Sequence, residues 1–193
     1  MPLFEPYRPQ LNDGERPPVA EDLLIRKALP SDVAELAGIE AAREGGEPAA
    51  HAAKLEKLLA SCAAGKARVL AAQHGPSLVG IAKIWRFTPP PDSPPNMAPA
   101  GWYLSGVIVA EDYRRRGIGR RLTQARLNWI AERDRAAYYF SNARNRASID
   151  LHRAFGFVEL SRDFTFPGAS FEGGAGILFR AELAPNAGAS SLD

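Results

Sequence analysis

The sequence predicts a single α/β domain on one mixed sheet, with elements in the order β-α-α-β-β-β-α-β-α-β-β. Three observations lead there. Helix-spaced and strand-like apolar runs alternate from Leu23 to Leu183. The run Trp102 to Val109 passes through a glycine-containing turn into an amphipathic helix and then another strand-like run, which requires a parallel crossover. Finally, 193 residues with 46% hydrophobic and 24% charged side chains match one ordinary globular core. The domain is expected over 21–184, with an extended arm at 1–20 and a frayed tail at 185–193.

Prolines at 2, 6, 9, 17 and 18 remove backbone donors and oppose helix, so the arm is read as extended, free or wrapped around a second copy in a homodimer. Leu23 to Ile25 reads as the first strand, stopped by Pro30, with Ser31 as a helix N-cap. Val33, Leu36, Ala37 and Ile39 to Ala41 follow helical spacing; Gly45 and Gly46 end that helix, and Ala49 to Ala64 forms a second. Ala67–Gln73 and Ser77–Phe87, separated by His74, Gly75 and Pro76, read as a hairpin. The proline-rich stretch Thr88–Ala100 can lie over a site but cannot join a sheet interior. Gly106 in the next strand suggests a bulge or a close backbone approach. Ile118, Leu122, Ala125 and Trp129 mark a helix to about Glu132; Ala136–Phe140 is a strand and Asn145–Ala154 a short helix closed by Gly156. Phe157–Phe166 and Gly174–Glu182 close the sheet through a turn containing Gly173, Gly174 and Gly176, where Glu172 could face a substrate.

No run approaches the roughly 20 apolar residues a membrane span needs, and the start lacks a secretory pattern, so a cytoplasmic protein without membrane partners is expected. One cysteine, Cys62, and three scattered histidines, His51, His74 and His152, argue against an internal disulfide or a bound metal. A formal net charge of +2 does not advertise a polyanionic partner, and no nucleic-acid binding is expected. The charge is nevertheless local: Arg114, Arg115, Arg116, Arg120 and Arg121 crowd into 114–121.

That crowding coincides with a strand-to-helix turn, Gly106-Val107-Ile108-Val109 running on to Arg114-Arg115-Arg116-Gly117-Ile118-Gly119-Arg120-Arg121. Glycines let a backbone approach a ligand, helix-start amides point outward, and arginines supply charge-assisted hydrogen bonds, a combination suited to a pyrophosphate. The dinucleotide fingerprint would need a small residue where Leu122 stands, and the Walker loop needs a Gly-Lys-Ser/Thr that is absent. The alternative, a merely solvated helix start, is outweighed by the glycine spacing and the preceding strand.

Arg114-x-x-Gly117-x-Gly119 resembles the Q/R-x-x-G-x-G/A signature of the GNAT acetyltransferases. Asn145 to Phe157 is similar to that family's later motif N-x-x-A-x-x-L-Y-x-x-x-G-F, with Ser148 in place of alanine and His152 in place of tyrosine. The resemblance extends from Leu23 to Leu183. It implies that acetyl-CoA is the cosubstrate, with its pyrophosphate held at Arg114–Arg121, its pantetheine arm along the backbone of Val107, Ile108 and Val109, and further contacts from Asn145 and Ser148. The family's tyrosine often protonates the departing thiolate; at His152 that acid role stands open beside ordinary packing. Glu40, Glu44 and Glu47 fall in the region that lines the acceptor site in relatives, and Tyr103 or Ser105 could hold a water. The general base has no single candidate. A small-molecule primary amine is the favoured acceptor, acetylated by direct transfer in a ternary complex. Acetylation of a protein N-terminus or lysine, and a non-catalytic acyl-CoA-binding module, are the alternatives.

Overall fold

A computed structural model describes residues 22–171 and 175–184. The elements are β1 (Leu23–Lys27), α1 (Val33–Glu44), α2 (Pro48–Ala63), β2 (Ala67–His74), β3 (Ser77–Phe87), β4 (Gly101–Val109), α3 (Ile118–Ala131), β5 (Ala136–Asn142), α4 (Arg146–Arg153), β6 (Val158–Ser161) and β7 (Gly176–Glu182). Their order is the one read from the sequence. The expected arm at 1–20, the tail at 185–193 and the turn residues Glu172, Gly173 and Gly174 lie outside the described residues.

The seven strands form one sheet in the order β1-β2-β3-β4-β5-β7-β6. Strand pairing follows the hydrophobic pattern. On β2, Val69 and Ala71 pack with Leu36 and Leu55 of α1 and α2 on one face. Leu70 and Ala72 pack with Ile118 and Leu122 of α3 on the other, as the two-residue period of a strand dictates. Farther along, Leu127, Trp129 and Ile130 of α3 cover Trp102, Leu104 and Tyr139. The helices thus occupy both faces and bury the central strands.

Two irregularities break the sheet's regular pairing. Opposite β3, the register of β4 slips between Ile81 and Lys83, and Gly106 sits there at φ 50°. The extra residue reverses the alternation: Leu104 faces α3, whereas Ile108, of the same parity, faces α1 and α2. Beyond the bulge Val107 and Val109 therefore turn toward α3. The second irregularity is the parallel pair β4–β5, whose pairing is confined to Trp102↔Ala137 and Tyr103↔Tyr138. Farther along, β4 stays paired with β3 and β5 with β7, so the sheet splits into two halves around an open wedge.

Two expectations need correction. Ser31 is exposed within a 3₁₀ turn, Pro30–Asp32, and does not cap α1. Asp32 organises that corner instead, accepting from the Leu29 amide at 2.7 Å and from Arg26 Nη1 at 2.6 Å. The strand expected over Phe157–Phe166 ends at Ser161, because Ser161 Oγ turns back onto the Asp163 carbonyl at 2.7 Å. Phe164 and Phe166 then join an aromatic layer with Phe87, Tyr103 and Phe140. Thr165 bridges to Met97, and its amide donates to the Asn96 carbonyl at 2.9 Å, which ties the proline-rich loop down over that layer.

Candidate functional site

The wedge between β4 and β5 opens into a cleft of about 840 Å³. Its walls are Leu104–Val109 of β4, Tyr139–Ser141 of β5, Arg43 and Glu44 at the end of α1, Arg114, Arg126 of α3, and Asn145, Ser148, Leu151 and His152 around α4. Beyond Tyr103 the edge of β4 that faces β5 has no strand partner among the described residues, so its polar backbone groups border the cleft.

At one end stands the N-terminus of α3. Arg115 at φ 63° and Gly117 at φ 79° both take left-handed conformations, which swing the chain from the 3₁₀ turn Glu111–Tyr113 into the helix. The first helical bond runs from Arg121 N to Gly117 O at 3.0 Å. Helix geometry therefore leaves the amides of Ile118, Gly119 and Arg120 without a partner inside the helix, at its positive end. A Cβ on Gly119 would project between Val107 Cγ1 at 3.6 Å and Leu151 Cδ2 at 4.0 Å, both on cleft-lining residues. Those are ordinary contacts, so the protein's own packing does not demand glycine there; the missing Cβ keeps a cradle open, which fits a ligand lying against the amides.

The arginines divide by what they touch. Arg114 Nε donates to the Val109 carbonyl at 3.0 Å and reaches the cleft wall. Arg121 Nη2 donates to the Leu23 carbonyl at 2.7 Å and so ties α3 to β1. Arg116 lies over the Tyr113 ring at 5.5 Å and Arg120 over Phe155 at 5.0 Å, while both stay exposed. Arg115 is exposed as well.

On the facing side, Asn145 Oδ1 accepts from the Ser148 amide at 3.3 Å and caps α4. His152 is buried and stacks on Tyr139 with ring centroids 3.9 Å apart. Its Nδ1 lies 2.8 Å from the Ser148 carbonyl, which can only accept, so Nδ1 carries the proton and Nε2 is bare. Burial, reinforced by the charge of Arg126, pushes the imidazole down to about 3.

The model of the Acetyltransferase (GNAT) family matches residues 32–157, well over half the chain. The chain belongs to the GNAT acetyltransferase family. Solved acetyltransferase structures share its fold. An aminoglycoside 6'-acetyltransferase type Ii is 16% identical, covering 84% of this chain and 99% of its own at a TM-score of 0.62. A ribosomal-protein-alanine N-acetyltransferase from Brucella melitensis is 25% identical, covering 83% and 99% at 0.61. A PaiA N-acetyltransferase from Thermoplasma acidophilum, solved in complex with coenzyme A, is 12% identical, covering 83% and 98% at 0.60. No curated protein matches the chain.

Within this acetyltransferase the wedge gathers Val107, Ile108, Val109, Arg114, Asn145, Ser148, His152, Glu44 and Ser105; its walls do not include Glu40, Glu47 and Tyr103, read as substrate-facing, or residues 115–121 at the start of α3. Glu40 is 2% exposed; its carboxylate takes Lys83 Nζ at 2.5 Å and stands 3.5 Å from His51 Nδ1. A buried carboxylate already paired with Lys83 serves as a structural ion pair. Tyr103 is a core residue whose hydroxyl donates to the Pro99 carbonyl at 2.7 Å. The acid role for His152 is also opposed: a bare Nε2 on a ring held neutral has no proton to give. Cys62 is half-buried in α2, and desolvation raises its thiol, which disfavours a covalent acetyl-cysteine route. Arg126 and Tyr139 line the cleft without having been singled out from the sequence. The available signal was an arginine four residues after Leu122, on the buried stripe of an amphipathic helix. Among the described residues, no helix is long and apolar enough to cross a membrane.

Proposed function

We propose that the protein transfers an acetyl group from acetyl-CoA to a primary amine of a small molecule, by direct attack in a ternary complex. The observation that carries the reading is the wedge itself: an unpaired strand edge running up to a helix N-terminus whose glycines leave the backbone bare. The amides of Ile118, Gly119 and Arg120, with Arg114, Arg115 and Arg116, would hold the pyrophosphate. The backbone of Val107 to Val109 would hold the pantetheine arm, with Asn145 and Ser148 across the wedge. Bound there, the cosubstrate supplies an activated acetyl thioester. The chain's part is to orient that group, exclude water with the layer of Leu104, Tyr139 and Phe140, and offer strand amides to the carbonyl oxygen. Glu44, at the exposed end of α1 on the cleft wall, is the acidic group placed to attract a cationic amine.

The small-molecule reading is supported by the loop 88–100, pinned through Met97 and Asn96 to Thr165 over the aromatic layer to which the cleft-lining Phe140 belongs. Two of the structural relatives point different ways. One is named for aminoglycosides, and the more similar one, at 25% identity, for a ribosomal protein alanine, which keeps protein N-terminal acetylation as the second reading. Release of free CoA across a panel of small amines and N-terminal peptides tests both. Turnover confined to small amines supports the first; turnover confined to peptides replaces it with the second. Silence across the panel, with thermal stabilisation by acetyl-CoA, would leave only an acyl-CoA-binding role.

A further inference from the structure

Arg126 is 1% exposed and lies at the inner wall of the wedge. Nη2 donates to Thr123 Oγ1 at 3.0 Å, and Thr123 Oγ1 in turn donates to the Gly119 carbonyl at 2.8 Å. Nη1 reaches the Ser105 carbonyl only at 3.4 Å, and Nε has no partner among the described residues. Burial pushes the guanidinium down to about 9, still charged at neutral pH, and no carboxylate among the described residues offsets the burial. A buried cation without a counter-ion is costly and is expected where an anion arrives.

The other ionisable groups on the cleft wall do not supply that anion. Arg114 and Arg43 are cationic, Glu44 is exposed at the rim, and His152 is neutral with a bare, unpartnered Nε2. The Tyr139 hydroxyl, raised by burial, feels Arg153 and Asp150 rather than Arg126. The wedge is therefore cationic at its inner end, and the acidic proton on its wall belongs to the Tyr139 phenol, which is buried and has no hydrogen-bond partner among the described residues.

Resting on the acetyl-CoA reading, we propose that Arg126 stabilises the departing CoA sulfur as a thiolate and is a catalytic residue of this acetyltransferase. The acceptor nitrogen forms its bond to the thioester carbon, the carbon–sulfur bond breaks, and its electron pair stays on sulfur. The amine's surplus proton leaves to water. The Tyr139 phenol, raised by burial, is a weaker acid than the thiol it would have to protonate, so the sulfur departs as a thiolate, and a guanidinium held in place by Thr123 and Ser105 offsets its charge without reorganising. Solvent protonates the thiolate after product leaves.

The test is the ionisation of the thiol in CoA bound to the full chain, read by thiolate ultraviolet absorbance and by proton release in calorimetry. In the wild type the bound thiol should titrate at least ~1 pH unit below the ordinary thiol value of about 8.5. Arg126→Gln should abolish that shift while leaving CoA affinity at acidic pH within about threefold, a difference too small to signal a lost pyrophosphate site. Arg126→Lys should retain part of the shift. Arg126→Met, similar in bulk, should raise the melting temperature of the ligand-free protein by removing an unpaired buried charge, which separates the role from a structural one. An unshifted thiol in the wild type, or a shift that survives in Arg126→Gln, overturns the proposal. CoA that fails to bind at any pH overturns the acetyl-CoA reading itself, and this inference with it.

Discussion

Gly106 shows how much one missing Cβ decides. A Cβ at this position would lie 2.5 Å from Lys83 Cε, on the side chain that crosses the bulge to reach Glu40. Gly106→Ala must therefore displace the lysine from its buried partner and also accept φ 50°. A loss of about 1–3 kcal/mol is expected in urea unfolding, the range for strained backbone positions. His152 gives a pH signature. Its folded value, about 3, lies below the ordinary histidine value of 6.5, so on acidification the unfolded chain takes up a proton that the folded one refuses. The stability associated with the neutral ring is complete above about 6.5 and is lost as pH falls toward 3, by up to about 1.4 kcal/mol per pH unit. His152→Phe, which keeps an aromatic ring beside Tyr139, should flatten that acid limb; an unchanged slope would show that other groups produce it.

At the scale of elements, the two helices flanking the wedge differ in how they start. The left-handed glycine opening α3 is legible because only glycine adopts that turn at little cost, and its spacing from Arg114 survives in the chain as a local pattern. Asn145 opens α4 with a side-chain cap, and Asn145→Ala should cost about 1 kcal/mol by thermal denaturation, whereas Asn145→Asp should retain most of it. Equal losses for the two variants would count against capping. Ser31 misleads for a physical reason. A cap preference is local, but Arg26, which fixes Asp32 at that corner, comes from the preceding strand. The end of β6 was hidden in the same way: Phe164 and Phe166 have strand preference, yet the aromatic layer they meet lies on other strands. Arg126 was hidden because periodicity marks positions as buried without saying that a charge could remain there.

For the whole molecule, element order was legible because each strand and helix carries its own period and its own stops. The wedge was not: that β4 and β5 pair only at Trp102 and Tyr103 is a long-range fact with no local trace apart from Gly106. Substrate-side expectations fared worst for the same reason. Glu40 and Tyr103 are near the right elements, but which face they take depends on a bulge and on the partners they find, Lys83 and Pro99. The molecule is a sheet in two halves joined at a short seam, with Gly119 at the start of α3 close to Val107 and Leu151 on the walls of the gap. The most direct measurement is a calorimetric titration of acetyl-CoA into the wild type and into Gly117→Glu, whose carboxylate would stand among the helix-start amides. Saturable binding by the wild type, weakened at least ~100-fold in a variant that still melts cooperatively, is the expected result. Equal affinity in the two proteins, or no binding by either, would contradict it.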